Sequence, residues 1–172
     1  LLVTSIDTNT EAAHDWLSDA LRSAGQVELA AQVNIAKAMH YMRARQYERA
    51  IETLKSYERK DSTLVAHAAT NLSFIYFHEG DFQSAVNYAD MAIRANRYSA
   101  KALVNKGNCV FVRGEYELAR FLFSEAVGAE ADCLEALYNL GISHKRIGDA
   151  PAALAVFEKL HAIEPEAVEV LW

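Results

Sequence analysis

Asn71, Asn105 and Asn139 stand at a constant interval of 34 residues along the chain. A carboxamide donates to a carbonyl and accepts from an amide, so a ladder of them can hold an extended peptide's backbone without reading its sequence. The same side chains can instead hydrogen-bond within their own unit. No other chemistry-bearing residues form a comparable set. The histidines His14, His40, His67, His78, His144 and His161 are scattered, and none has metal-ligand spacing to a second His or Cys. His144 reads as a packing residue. Cys109 and Cys133 fall in different elements and read as small buried hydrophobes, and two cysteines suit a reducing compartment. No glycine-rich phosphate loop occurs. These residue types point to recognition of a protein segment, with neither catalytic residues nor a cofactor expected.

The interval of the asparagines is also the interval of the scaffold. Gly107 aligns with Gly141, Gly114 with Gly148, Ala119 with Ala153 and Phe123 with Phe157. A fixed period of this length is the mark of a helical repeat array. Counted along the chain it gives a lead-in and capping helix over 1–30, which is read as half of a degenerate repeat. A degenerate repeat follows over 31–65, then repeats over 66–99, 100–133 and 134–167, and the start of another over 168–172. The first repeat is one residue longer than the others, and Lys37 and Tyr57 replace apolar or small residues in it.

Each unit reads as a helix, a short turn and a second helix. Gly80, Gly114 and Gly148 stop the first helix, Asp81 and Asp149 cap the second, and Pro151 sits in a first turn where no amide bond is lost. Ala38, Ser73, Gly107 and Gly141 face Ala50, Ala85, Ala119 and Ala153, which lets paired helices approach closely. Tyr41, Tyr76, Phe82, Tyr116, Phe123 and Phe157 fill the remaining space. In the lead-in, Thr8 and Glu11 have the spacing of a capping box. The helix after them, ending at Gly25, carries a stripe of Trp16, Leu17, Ala20, Leu21 and Ala24, with Trp16 expected as a core anchor.

Composition agrees. A chain of 172 residues with 52% hydrophobic residues, seven glycines and two prolines favours helix throughout. A formal charge of −6 without a basic run argues against nucleic acid as the main partner. No apolar run reaches the roughly 20 residues of a membrane span. The chain opens on Leu1 and closes on Val168 to Trp172 in the register of a further unit, so it is read as an interior piece of a longer superhelix.

The pattern formed by Leu137, Leu140, Gly141, His144, Ala153, Phe157 and Pro165 resembles the tetratricopeptide repeat. Register held over four units, across residues 31 to 172, makes the likeness specific. It departs at His144, where tyrosine is usual, and at Ser62, Arg97 and Ala131, where proline usually closes a unit. The resemblance implies an all-α, right-handed superhelical solenoid of antiparallel helix pairs. The segments KDSTLVAHAATNLS, NYADMAIRANRYSAKALVNKGNCVF and EALYNLGISHKRIGDAPAALAVFEKLHAIEPEAVEVL carry a closer resemblance, to tetratricopeptide subunits of intraflagellar transport complex B. It extends upstream through AAHDWLSDALRSAGQVELA. It implies a scaffold in the assembly that carries cargo along cilia, with other complex B subunits as partners in a hetero-oligomer. The places implied are the cytoplasm, the cilium or flagellum and its basal body.

In stacked helix pairs the first helices line the concave face and expose residues at i, i+3, i+4 and i+7. Those positions hold Ile35, Met39 and Met42, then Thr70, Asn71, Phe74 and Phe77. The third unit offers Lys101, Val104, Asn105, Asn108 and Phe111, and the fourth Tyr138, Asn139 and Ile142. A groove this apolar suits a bound protein segment, unless the superhelix closes on itself and buries it. Arg43, Arg45 and Arg49, with Lys55, Arg59 and Lys60, give the first unit a basic side, read as a solvated face or a dock for an acidic patch. The expected function is non-enzymatic capture of a partner segment. The alternatives are a regulatory repeat domain of an enzyme whose catalytic part lies outside the chain, and a peptide-binding co-chaperone.

Overall fold

The computed structural model describes residues 10–58 and 61–165; Thr8 and the Val168–Trp172 stretch lie outside them. Among the described residues every regular element is a helix. They are α1 (Thr10–Ser23), α2 (Val27–Arg43), α3 (Tyr47–Lys55), α4 (Ser62–His78), α5 (Phe82–Ala95), α6 (Ala100–Val112), α7 (Tyr116–Ala129), α8 (Leu134–Ile147) and α9 (Ala150–Ile163). From α2 onward they pair as α2/α3, α4/α5, α6/α7 and α8/α9, and each pair packs on the next.

The turns inside the pairs follow from backbone sterics. Gly80, Gly114 and Gly148 all have φ between +80 and +92, where a Cβ would be strained. The first unit has no glycine at that place, and Arg45 takes the left-handed conformation instead, at φ 58. Side-chain caps then start the next helices. The Asp81 carboxylate accepts from Ser84 N at 3.0 Å and Asp149 from Ala152 N at 3.1 Å. Asp61 and Ser99 cap α4 and α6 in the same way.

Close helix approach is built from small residues. Ala38, Ala50, Ser73, Ala85 and Ala119 are fully buried. The Ser73 hydroxyl donates to the Ala85 carbonyl at 2.8 Å, so a polar side chain is satisfied inside this seam. At Gly107 and Gly141 the space a Cβ would need is filled by the rings of Phe123 and Phe157. The core is therefore strung along the array. One cluster joins α2 to α4 around Leu54, Leu72 and Ile75, and a second joins α6 to α8 around Val104, Phe123 and Ala126. Ala69, Ala92 and Ala102 form a small group between them.

At the end of the short α3, Thr53 Oγ1 donates to Arg49 O and Ser56 Oγ to Thr53 O. Tyr57, just past that helix, is buried.

The lead-in helix corrects one expectation. Its buried face is Ala13, His14 and Ser18, not the Trp16 stripe, and Trp16 is 68% exposed. Charge pairing accompanies this rotation. Lys37 on α2 donates to Asp15 at 2.6 Å, and Arg49 on α3 holds the Glu11 carboxylate. Glu11, Asp15 and Ser18 share one side of the helix, and with these pairs formed Trp16 faces outward. Glu11 therefore works across the fold, whatever its part in a capping box. Lys37, foreign to the repeat pattern, is the partner that α1 needs.

Candidate functional site

The first helices of adjacent units pack on one another, α2 on α4, α4 on α6 and α6 on α8, whereas the second helices mainly touch their chain neighbours. That asymmetry curves the array with its first helices inside. A groove runs across α2, α4 and α6 as three adjoining cavities of about 310, 240 and 380 Å³. Met39 and Met42 line the first along with Arg43, Arg45, Tyr47, Phe74 and His78. The second lies between Met42, Thr70, Asn71, Phe74, Lys101, Asn105 and Glu135. The third opens beside Met39, His67, Thr70 and Asn71 and is closed by Asn96, Tyr98, Ser99, Lys101 and Glu130. Shared walls at Met39, Met42, Asn71, Phe74 and Lys101 make the three continuous.

The expected groove residues divide into several groups. Met39 and Phe74 are exposed at 39% and 40%, a large apolar area for side chains facing solvent. Lys101 is exposed, and Met42 and Asn71 are half-buried in the same walls. Phe77 and Phe111 instead turn toward their own units. Phe77 packs on Phe82 with ring centroids 5.5 Å apart, and Phe111 sits edge-on to Tyr116 at 5.0 Å. Tyr138 is exposed and Ile142 half-buried on α8, apart from these three cavities. Ile35 and Val104 are buried, because the neighbouring unit's first helix covers them.

The asparagines do not form a uniform ladder. Asn105 is buried and its Nδ2 donates to the Thr70 carbonyl at 2.9 Å, tying α6 to α4. Asn139 donates to Asn108 Oδ1 at 2.9 Å, and Asn108 donates to Glu135 at 3.3 Å. Identical spacing thus serves inter-unit bracing at Asn105 and Asn139, while Asn71 lines the groove.

Spacing overlooked His67, His78, Glu130 and Glu135, all of which line the groove, and Arg43 and Arg45, read as part of a basic side, line it too. Arg43 lies one helical turn beyond Met39, and His67 one turn before Asn71. Extending each stripe by four residues finds both. Arg45, Glu130 and the Asn96 to Ser99 segment sit in turns, where helical periodicity carries no signal.

The thiols are placed for packing. Burial pushes the Cys109 thiol up to about 11, and burial raises Cys133 as well, so neither is poised as a thiolate at neutral pH. Among the described residues no cluster of three or more His, Cys, Asp or Glu could hold a metal ion. No described helix is long and apolar enough to cross a membrane.

Helix pairs in a constant register, stacked to leave an inner groove, define a repeat solenoid, and the chain belongs to the tetratricopeptide repeat family. That family matches residues 35–100, 75–132 and 111–167. The chain is 42% identical over 99 residues to the intraflagellar transport protein 88 homolog of Homo sapiens, a stretch covering 58% of this chain and 12% of that protein. Among solved structures it is similar to MamA, with a TM-score of 0.69 at 21% identity over 88% of this chain and 96% of MamA. It is also similar to the first tetratricopeptide domain of Spaghetti (RPAP3) bound to the HSP90 peptide SRMEEVD. There the TM-score is 0.61 at 19% identity, over 65% of this chain and 90% of that one.

Proposed function

We propose that this part of the protein is a non-catalytic scaffold segment that receives a partner's polypeptide segment in the groove across α2, α4 and α6. The observation that carries the reading is the outward display of Met39 and Phe74 beside half-buried Met42 in a continuous inner channel. Leaving such area in water is unfavourable by about 25 cal/mol per Å², and a bound chain removes it. Methionine is unbranched and polarizable, so it adapts to a bound side chain of irregular shape. The RPAP3 domain, with the same fold, is described as bound to a peptide.

The partner set is proposed from the likeness to the intraflagellar transport protein 88 homolog. The segment joins other subunits of intraflagellar transport complex B and acts in cilium or flagellum assembly, at the cilium and its basal body. Asn71 and Lys101 are the polar groups in the groove walls best placed for the partner's backbone and carbonyls.

The test is a pull-down from ciliated cells with the wild-type protein and with Met39→Glu/Phe74→Glu. Both positions are exposed enough to accept a charge without unfolding. Recovery of complex B subunits with the wild type and their loss with the variant, at unchanged helical circular dichroism, is the expected result. Equal recovery by both proteins refutes the groove as the receptor.

A further inference from the structure

The charges along the groove are not evenly spread. At the α2 end, the wall of Met39, Met42, Tyr47 and Phe74 is rimmed by Arg43 and Arg45. Toward α6 and α8 the lining carries Glu130 and Glu135, with Lys101 lining both cavities. Among the described residues neither arginine forms an ion pair, whereas the nearby Arg49 is held by Glu11 and stacks on the Tyr41 ring. Arg45 occupies the left-handed turn position that glycine fills in the other three units, a conformation glycine adopts freely and an L side chain does not. Its side chain is thus retained at a conformational disadvantage, beside an apolar cavity and a second unpaired arginine.

We infer that the occupant is a partner segment with a large apolar residue for the Met39–Phe74 cavity, flanked on one side by acidic side chains facing Arg43 and Arg45. The inference rests on the groove reading above and deepens it. Carbonyls at the C-terminal end of α2 repel an anion, so acceptance of a carboxylate there depends on the two arginines. At the far end Lys101 offsets only one of the two carboxylates, so an acidic side chain gains less there than over Arg43 and Arg45. The charge pattern therefore favours one direction of the segment as well as its composition: acidic flank over the α2/α3 turn, neutral or basic flank toward α6. Two arginines separated by a turn suit successive side-chain carboxylates better than a single chain terminus, which calls for convergent donors.

The experiment uses short, terminally blocked peptides with the same Leu and Phe core and one flank of Glu, Gln or Lys, followed by fluorescence anisotropy. The Glu peptide should bind roughly tenfold more tightly than the Lys peptide at low salt, with the difference shrinking as salt rises. Arg45→Gly relaxes the turn and removes the charge, so the melting temperature should rise while the Glu preference falls several-fold. A rim that only stabilised the fold could not produce that split. Adding Arg43→Ala should remove the preference, and Met39→Glu/Phe74→Glu should remove binding of every peptide. Flank-independent binding that Met39→Glu/Phe74→Glu abolishes overturns the acidic occupant and leaves the groove intact. Binding that survives the double variant overturns the groove and the inference together. Failure of every peptide to bind overturns the inference alone, as does a Gln peptide with a free C-terminal carboxylate that matches the Glu peptide.

Discussion

Single side chains in this array are held with very different tolerance, and Gly107 is the tightest case. A Cβ there would lie 2.9 Å from Cδ1 and Cζ of Phe123 and closer still to Cε1, and Phe123 is fully buried. Alanine gains about 1 kcal/mol in helix propensity, but overpacking a core typically costs about 1–3 kcal/mol. We expect Gly107→Ala to lower stability by up to about 2 kcal/mol in urea denaturation. Gly141→Ala meets Phe157 at 2.6 Å, yet that ring is only half-buried and can swing outward, so its effect should lie near zero. Phe74 and Phe111 separate in the same way. Glutamate at Phe74 meets water, while glutamate at half-buried Phe111 gives up the packing of that ring on Tyr116 and the second core cluster and should lower stability by about 1–3 kcal/mol.

At the scale of the helix, α1 rests on a small buried face of Ala13, His14 and Ser18 and is tied to α2 and α3 by charge as well. The hydrogen bond from Arg49 holds the Glu11 carboxyl below its ordinary value of 4.5, with the Tyr41 hydroxyl adding to it. A depressed carboxylate contributes stability that is present above 4.5 and lost as pH falls through the folded value. Amide protection in α1 should therefore drop below about pH 4 while α4 to α7 stay protected. Glu11→Gln should show the low-pH behaviour of α1 already at pH 7. Hydrogen exchange followed by mass spectrometry reads both. None of this attachment was legible from α1 itself, whose apolar stripe pointed to Trp16. The amphipathic pattern reports which residues could be buried, and the partners on α2 and α3 decide which are. The same division holds elsewhere. Gly80, Gly114 and Gly148 announce their turns because only a positive φ makes glycine worth having there, so helix pairs and register can be read directly. Asn71, Asn105 and Asn139 share one spacing yet find different partners, because the offset between neighbouring units decides which carbonyl an amide reaches. No local pattern encodes that offset. Arg45 hid its turn for the converse reason: arginine carries no turn signal.

Taken as a whole, the molecule is nearly one-dimensional, and that governs how a local defect spreads. Among the described residues each helix pair packs mainly on its neighbours, and the two main core clusters are bridged by the small Ala69, Ala92 and Ala102 group. Stability in such a stack is a sum of unit terms and nearest-neighbour interfaces. Leu137 on α8 is 1% exposed, and truncating it to alanine should cost about 2–5 kcal/mol at that site. In a globular core that loss would be felt everywhere. Here it should strip protection from α8 and α9, weaken α7, and leave α1 to α4 unchanged in hydrogen exchange. The groove walls stand mainly on α2, α4 and α6, so Leu137→Ala should keep most of its peptide affinity despite the large local destabilisation. Gly107→Ala, milder in energy but on α6 against the Phe123 ring, should lose more affinity than Leu137→Ala. A reversed order, with binding tracking total stability instead of position, would show that the array folds and binds as one cooperative block.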